Sequence, residues 1–248
     1  LASLDEVDPE LLKTYEKLGI PLHKYWGLDK SKTPLTSFTI GIDTPKVIEE
    51  KVREAEAYPI LKIKLGGEND EEIIRTIRRI TKKTLRVDAN EGWKVKEQAV
   101  EKIKWLEQEG VEFVEQPMPA SDLDGTAWTR ERVAIPLIAD ENSLRLHDVP
   151  RLQGVFDGIN IKLMKCTGLR EALRMIHAAK ACGLKVMMGC MIESSVAISA
   201  AAQLSPLIEY ADLDGNVLIT NDPFDGVRSL DGRLALSDRP GIGVEKQI

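Results

Sequence analysis

The chain has 248 residues, of which 43% are apolar and 30% charged, with 18 Gly, 12 Pro and a formal net charge of −6. A globular chain of this size buries roughly 70% of its unfolded surface, enough for a core without staples, and so little Gly and Pro excludes collagen-like or linker character. An acidic chain with no basic stripe repels nucleic acid and acidic membrane surfaces, so the expected partner is a small molecule.

Pro9 to Leu18 reads as a helix capped by Asp8 and ended by Gly19, and residues 1–34 read as a helical join ahead of the first strand. Thereafter short apolar or β-branched runs alternate with stretches of helical spacing. Thr36 to Gly41 is the first predicted strand, and Thr44 before Pro45 opens a helix to Ala57. Ile60 to Leu65 is the second strand. The helix after it, Asp70 to Lys83, has one apolar face at Ile73, Ile74, Ile77 and Ile80. Leu85 to Ala89 precedes a helix from Lys94 to Glu109, closed by Gly110. Strands Val111 to Glu115 and Leu137 to Asp140 are followed by weaker helices at Thr126 to Arg132 and His147 to Leu152. Strand Gly158 to Leu163 leads to helix Leu169 to Cys182, which Gly183 closes; strand Leu184 to Met188 leads to helix Ser194 to Leu204. Ile208 to Leu213 is the eighth strand. Asn216 to Pro223 is turn-rich, and residues 223–248 form a C-terminal segment. Eight strands with seven helices between them predict an α/β fold, a (β/α)₇β TIM-type barrel over residues 35–222, with an open doubly wound sheet as the alternative.

Buried parallel strands should be almost wholly apolar, yet these carry charge near their C-terminal ends. Lys62 and Lys64 share one face of the second strand; Asp88 ends the third, Glu115 the fourth and Asp140 the fifth. Lys162 lies on the sixth, and Asp212 and Asp214 share a face at the end of the eighth. From Lys64 to Asp88, Glu115, Asp140 and Lys162 the separations are 24, 27, 25 and 22 residues, each about one βα unit. A closed barrel gathers such positions at one mouth, where barrel enzymes keep their chemistry. Taken singly, a strand-end Asp reads as a loop cap and a Lys pair as a solvated edge; in register, the three carboxylates Asp88, Glu115 and Asp140 with the three lysines read as a site.

Three carboxylates with no neighbouring His or Cys make a hard oxygen site suited to Mg²⁺. His23, His147 and His177 lie off the predicted strand ends and read as packing or surface residues. Lysines on strands two and six would flank whatever the metal holds, and Lys62 is expected to depress the pKa of Lys64 by like-charge repulsion. Cys190, Met191 and Ile192 after strand seven read as an apolar wall. Three cysteines, Cys166, Cys182 and Cys190, match no disulfide framework or metal spacing, which predicts a reducing, cytoplasmic compartment. No secretory signal opens the chain, and its longest weakly polar stretch, Val196 to Leu204, is too short to span a bilayer.

Lys62-Ile-Lys64, Asp88-Ala-Asn90, Glu115-Gln-Pro117, Ala139-Asp140-Glu141 and Asn160-Ile-Lys162 succeed one another in an order and spacing that resemble the enolase superfamily and its muconate-lactonizing subgroup. The resemblance covers nearly the whole chain. It implies that Asp88, Glu115 and Asp140 bind Mg²⁺, that Lys64 and Lys162 are the two acid/base residues, and that an ene-diolate is stabilised. Asp212-Leu-Asp214-Gly215 looks like the dipeptide epimerases, in which such a pair holds the substrate ammonium; its plainer reading is an Asx turn. By the same resemblance, most of an N-terminal α+β capping domain is absent from this chain, and residues 223–248 would return toward it. The implied activity is Mg²⁺-dependent epimerisation of a dipeptide, L-Ala-D/L-Glu or hydrophobic, at the C-terminal residue by 1,1-proton transfer. The alternatives are an o-succinylbenzoate synthase or muconate cycloisomerase type of lyase on the same scaffold, a Schiff-base aldolase using Lys162, and a non-catalytic binding barrel. The sequence leaves oligomeric state open, homo-oligomers included.

Overall fold

The computed structural model describes residues 17–247. Most of the predicted helix from Pro9 lies outside the described residues; its end, Lys17 and Leu18, is helical, and Gly19 comes next at φ 65°. Eight parallel strands run in sequence order as one sheet: β1 Phe38–Ile40, β2 Ile60–Lys64, β3 Thr84–Asp88, β4 Val111–Glu115, β5 Leu137–Ala139, β6 Gly158–Lys162, β7 Lys185–Gly189 and β8 Tyr210–Asp212. The sheet curls until its edges meet. Thr36 bridges Ala211 in parallel, Ser37 N–H donates to the Ala211 carbonyl at 3.2 Å, and Leu213 N–H donates to Thr36 Oγ1 at 2.8 Å. The fold is therefore the closed barrel, not the open sheet.

Helices α1 Pro45–Glu54, α2 Asp70–Ile80, α3 Lys96–Gln108, α4 Leu123–Arg130, α5 Leu169–Ala181 and α6 Ser195–Ala202 form the outer ring. Each buries a stripe against the outward faces of the strands; α2, for example, sets Ile73, Ile74 and Ile77 against the sheet layer that includes Leu61, Ile63, Leu85 and Val87. Gly110 and Gly183 both sit at φ 72°, the left-handed conformation that ends a helix without a Cβ clash. The predicted helix over His147 to Leu152 is instead a 3₁₀ turn, Leu146–Leu152, because Pro150 inside it has no amide hydrogen to continue an α-helix. α4 begins three residues earlier than expected, where Asp122 caps it by accepting from Gly125 N–H at 2.8 Å. A single unpredicted helical turn, Leu163–Cys166, comes directly after β6.

Inside the barrel, below the mouth, Phe113, Ile138, Met187 and Tyr210 pack together. The Arg86 guanidinium lies over the rings of Phe113 and Tyr210, at 5.3 and 5.1 Å, and donates to the Ala211 carbonyl and Glu112. This plug closes the barrel floor, so anything entering the mouth stops at the layer above it. After β8 come a 3₁₀ turn, Gly215–Leu218, and two short ribbons, in which Phe224–Asp225 pairs with Glu245–Lys246 and Arg228–Leu230 with Arg233–Ala235. The C-terminal segment packs back on the N-terminal join, where Leu22 N–H donates to the Gly241 carbonyl and Gln203 binds both His23 and Ile242. Among the described residues no helix is long and apolar enough to cross a membrane.

Candidate active site

The period-two pleat sends Lys62 and Lys64, Asp88, Glu115, Asn160 and Lys162, and Asp212 into the barrel, while alternate residues such as Leu61, Ile63, Ile159 and Ile161 pack outward beneath the helices. A cavity of about 770 Å³ opens over them, lined by charged groups that include Lys64, Asp140, Lys162 and Asp214, with Met191 and Leu218 at its rim. All the residues predicted from strand ends are thus brought to one mouth. Two strand-end assignments shift: Asp140 stands one residue beyond β5 and Asp214 two beyond β8, because the turns begin there. Asp214 still turns inward, accepting from Thr39 N–H at 2.7 Å, so the predicted shared face with Asp212 survives without the strand.

Lys62 is the electrostatic hub, 2% exposed, with Nζ 2.8 Å from Asp212 Oδ2, 2.7 Å from Glu115 Oε2 and 3.2 Å from Asp88 Oδ2. Burial works against its charge, but Asp212, Glu115 and Asp88 outweigh it and hold its pKa well above the usual lysine range. Lys64 donates to Asp88 Oδ2 at 2.6 Å and to Asn90 Oδ1 at 2.9 Å. Lys62 is therefore tied first to carboxylates, and it shares Asp88 Oδ2 with Lys64. Across the barrel, Lys162 and Lys165 take the two oxygens of Asp140 at 2.8 and 2.6 Å. Burial opposes the Lys162 charge, and Asp140 and Glu115 outweigh it, so its pKa is raised.

The carboxylates respond unequally. Burial alone would raise Asp88, but Lys62 and Lys64 bring it down to about 2. Glu115, wholly buried, is raised to about 7 by burial and by the Asp88 charge, despite Lys62. Its Oε1 accepts from Asn160 Nδ2 at 2.8 Å; no donor is aligned on Oε2, although Lys62 Nζ is close. Asp212 is lowered, Lys62 overcoming the effect of burial. Asp214 is raised to about 6 by burial and by Asp212.

As these side chains stand, no three Asp, Glu, His or Cys groups among the described residues form a ready ligand cage. Asp88 and Glu115 lie at zero exposure beneath Lys62, and the lysines hold the oxygens a cation would take. The sequence assigned no role to several residues of the site, Gln116 and Asn160 among them although both stand in the motifs Glu115-Gln-Pro117 and Asn160-Ile-Lys162. Lys165 comes three residues after Lys162, and the unpredicted turn after β6 carries it back to Asp140. Gln116 Oε1 accepts from Asp140 N–H, and Ser37 Oγ donates to Asp212 Oδ1. Asn160 has room because Gly189 faces it, where a Cβ would meet its amide at 2.6 Å. The i, i+3 spacing of Lys162 and Lys165 was the available signal; the others needed the barrel's closure.

Cys190, Met191 and Ile192 do border the cavity, with Ile192 70% exposed at its lip. His23, His147 and His177 are not among its lining residues. Cys166, Cys182 and Cys190 are unpaired with one another.

A closed parallel barrel whose mouth presents a Lys-x-Lys strand, three successive strand-end carboxylates and a facing lysine defines one class of fold and site. The chain belongs to the Enolase C-terminal domain-like family, whose family model matches residues 47–247. It is 54% identical over 230 residues to the L-Ala-D/L-Glu epimerase of Bacteroides thetaiotaomicron, a match covering 92% of this chain and 60% of that protein. It is 44% identical over 228 residues to the L-Ala-D/L-amino acid epimerase of Pedosphaera parvula, covering 90% of this chain and 66% of that one. Among solved structures, the dipeptide epimerase of Cytophaga hutchinsonii complexed with Mg and D-Ala-L-Val superposes with a TM-score of 0.88 at 31% identity, over 95% of this chain and 67% of that one. The chain therefore spans about two thirds or less of the length of these relatives.

Proposed function

We propose that this chain is the barrel domain of a Mg²⁺-dependent dipeptide epimerase that inverts the α-carbon of the C-terminal residue by two-base proton transfer. The observation that carries the reading is the placement of Lys64 and Lys162 on β2 and β6, four strands apart in an eight-stranded barrel and so on opposite sides of one mouth, each on a carboxylate of the same set. The relatives named as epimerases of dipeptides, and the Mg- and dipeptide-bound structure among them, support it.

The residues suit a divalent ion. Glu115 is a carboxyl raised to about 7 first by burial and then by Asp88 and Asp140, with no donor aligned on its Oε2, so a hard cation at that oxygen would meet an acceptor that is not otherwise used. Asp88, Glu115 and Asp140 would hold the ion, which when bound supplies charge neutralisation for the substrate carboxylate and so acidifies its α-proton. Were Asp140 to hold the ion, Lys162 would lose the carboxylate that keeps its pKa raised, and Lys64 Nζ would be released from Asp88 Oδ2, leaving both amines free to turn to the substrate. One lysine then removes the α-proton and the other returns a proton from the opposite face. Lys165 stands beside Asp140 Oδ1, and Lys62 keeps Asp212 in place.

The substrate ammonium falls to Asp214. Asp212 is already satisfied by Lys62 and Ser37, whereas Asp214, raised to about 6, is undercompensated and faces the cavity. This argues against a lyase or cycloisomerase, whose substrates lack that ammonium. A Schiff-base aldolase would require neutral Lys162 while Asp140 still faced it, so the same ion pair disfavours that reading. The test is α-proton exchange of a dipeptide panel in D₂O with and without Mg²⁺, for the unmodified protein and for Lys64→Arg and Lys162→Arg. Each variant is expected to lose exchange from one epimer while retaining it from the other. Full epimerisation by a Lys64→Ala, Lys162→Ala double variant would refute the assignment.

A further inference from the structure

Asp70, the first residue of α2, lies outside the active site, yet it is 2% exposed and saturated with donors. Its Oδ1 accepts from Gly66 N–H and Gly67 N–H, both at 2.9 Å, and its Oδ2 from Trp93 Nε1 at 2.9 Å and Lys102 Nζ at 2.7 Å. Gly66 and Gly67 form the turn directly after β2, which ends at Lys64; Trp93 closes the turn after β3, which ends at Asp88. One carboxylate thus ties together the two turns that directly follow Lys64 and Asp88.

The turns are also in backbone contact. Gly66 sits at φ 112°, a Cβ there would run into the Ala89 carbonyl, and one on Gly92 would meet the Gly66 backbone. Within the β3 turn, Asn90 and Glu91 adopt φ 41° and 64°, conformations that persist only where surroundings enforce them. On the cavity side the same two turns are spanned by Lys64 Nζ, which reaches Asp88 Oδ2 and Asn90 Oδ1, while Asn90 N–H binds Asp88 Oδ1. The Lys64 contact to Asp88 and Asn90 and the Asp70 node are therefore two sides of one junction. Lys162, on β6, shares none of these bonds.

We propose that Asp70 is a positioning residue that sets the reach of Lys64 relative to Asp88 by pinning the turn after β2 to the turn after β3, with Trp93 as its partner on the second turn. This role rests on the reading of Lys64 as one of two bases, and it predicts an asymmetry: loosening the node harms proton transfer on the Lys64 face and spares the Lys162 face. Asp70→Asn leaves one acceptor oxygen for four donors; Trp93→Phe removes a single donor and keeps the ring, so it folds if the first variant does not.

For both variants, deuterium incorporation at the α-carbon is measured from each epimer of a dipeptide separately, the epimer served by Lys64 being identified with Lys64→Arg. Exchange of that epimer is expected to fall about tenfold to a hundredfold, the range for a displacement of about 1 Å in a reacting group. Exchange of the other epimer should fall no further than the folded fraction does. Equal losses from both epimers, or no loss from either, overturn the proposal. In parallel, NMR of the lysine ammonium groups should show the Lys64 signal moving in both variants while that of Lys162 stays. If the unmodified protein exchanges neither epimer, the epimerase reading fails, and the ammonium signals still decide the positioning role: an unmoved Lys64 signal refutes it.

Discussion

Replacing Lys62 by Met removes one buried charge and nearly preserves volume, which isolates the electrostatics of the mouth. In the unmodified protein this ammonium lies within 3.2 Å of three carboxylates, two of them at zero exposure. Breaking a buried ion pair by deleting one partner costs about 3–5 kcal/mol, because the remaining charge stays buried. Here the remaining groups can escape by protonation, with Glu115 first. Its folded pKa, about 7 against 4.5, corresponds to roughly 3 kcal/mol in favour of the protonated carboxyl even with Lys62 present. A folded pKa above the unfolded one means stability that is full below about 4.5 and is lost as pH rises through about 7. Without Lys62 the Glu115 pKa rises further, so the loss deepens and extends to higher pH. Lys62→Met is therefore expected to be destabilised by about 3–5 kcal/mol at about pH 8.5 and by much less near pH 5. Urea unfolding followed by circular dichroism at both pH values measures it. Saturating MgCl₂ should restore part of the loss at the higher pH, by about 3 kcal/mol at a hundredfold excess over Kd. A variant as stable as the unmodified protein at the higher pH would refute the reasoning, since it would mean the three carboxylates are hydrated or apart.

Asp214→Asn should raise KM for a free dipeptide by a factor corresponding to at least about 2 kcal/mol while changing little for its N-acetylated form, and steady-state kinetics on the two substrates decides it. Because the Asp214 pKa is raised to about 6, KM of the unmodified protein should climb as pH falls through that value, and this inflection should vanish in the variant. Arg86→Met, on the barrel floor, should lower stability by roughly 2 kcal/mol through lost hydrogen bonds and cation–π contacts to Phe113 and Tyr210, and leave kcat unchanged. A fall in kcat exceeding the loss of folded protein would show that the floor and the mouth are mechanically coupled.

The barrel and the membership of its mouth were legible because both arise from one-dimensional periods. A period of two within each strand assigns Lys62 and Lys64 to one face, and a recurrence of 22 to 27 residues assigns one charged position to each successive strand, so strand-end charges must converge if the sheet closes. Closure itself was settled in space by Thr36 meeting Ala211, residues 175 apart in the chain. The 3₁₀ turn over Leu146–Leu152 reads as an α-helix by apolar spacing alone, although Pro150 inside it, which has no amide hydrogen, was a legible signal against one. The partnerships of the charges were illegible. That Lys62 serves Asp88, Glu115 and Asp212 together, that Lys165 joins Lys162 on Asp140, and that Asp70 reaches two turns rather than capping its own helix depend on how closely groups from different strands and turns approach in space. Sequence determines which side chains face the mouth, since facing is a property of local backbone geometry. Tertiary structure decides which of them neutralise one another, since Coulomb energy in a buried site depends on separations that no spacing along the chain encodes.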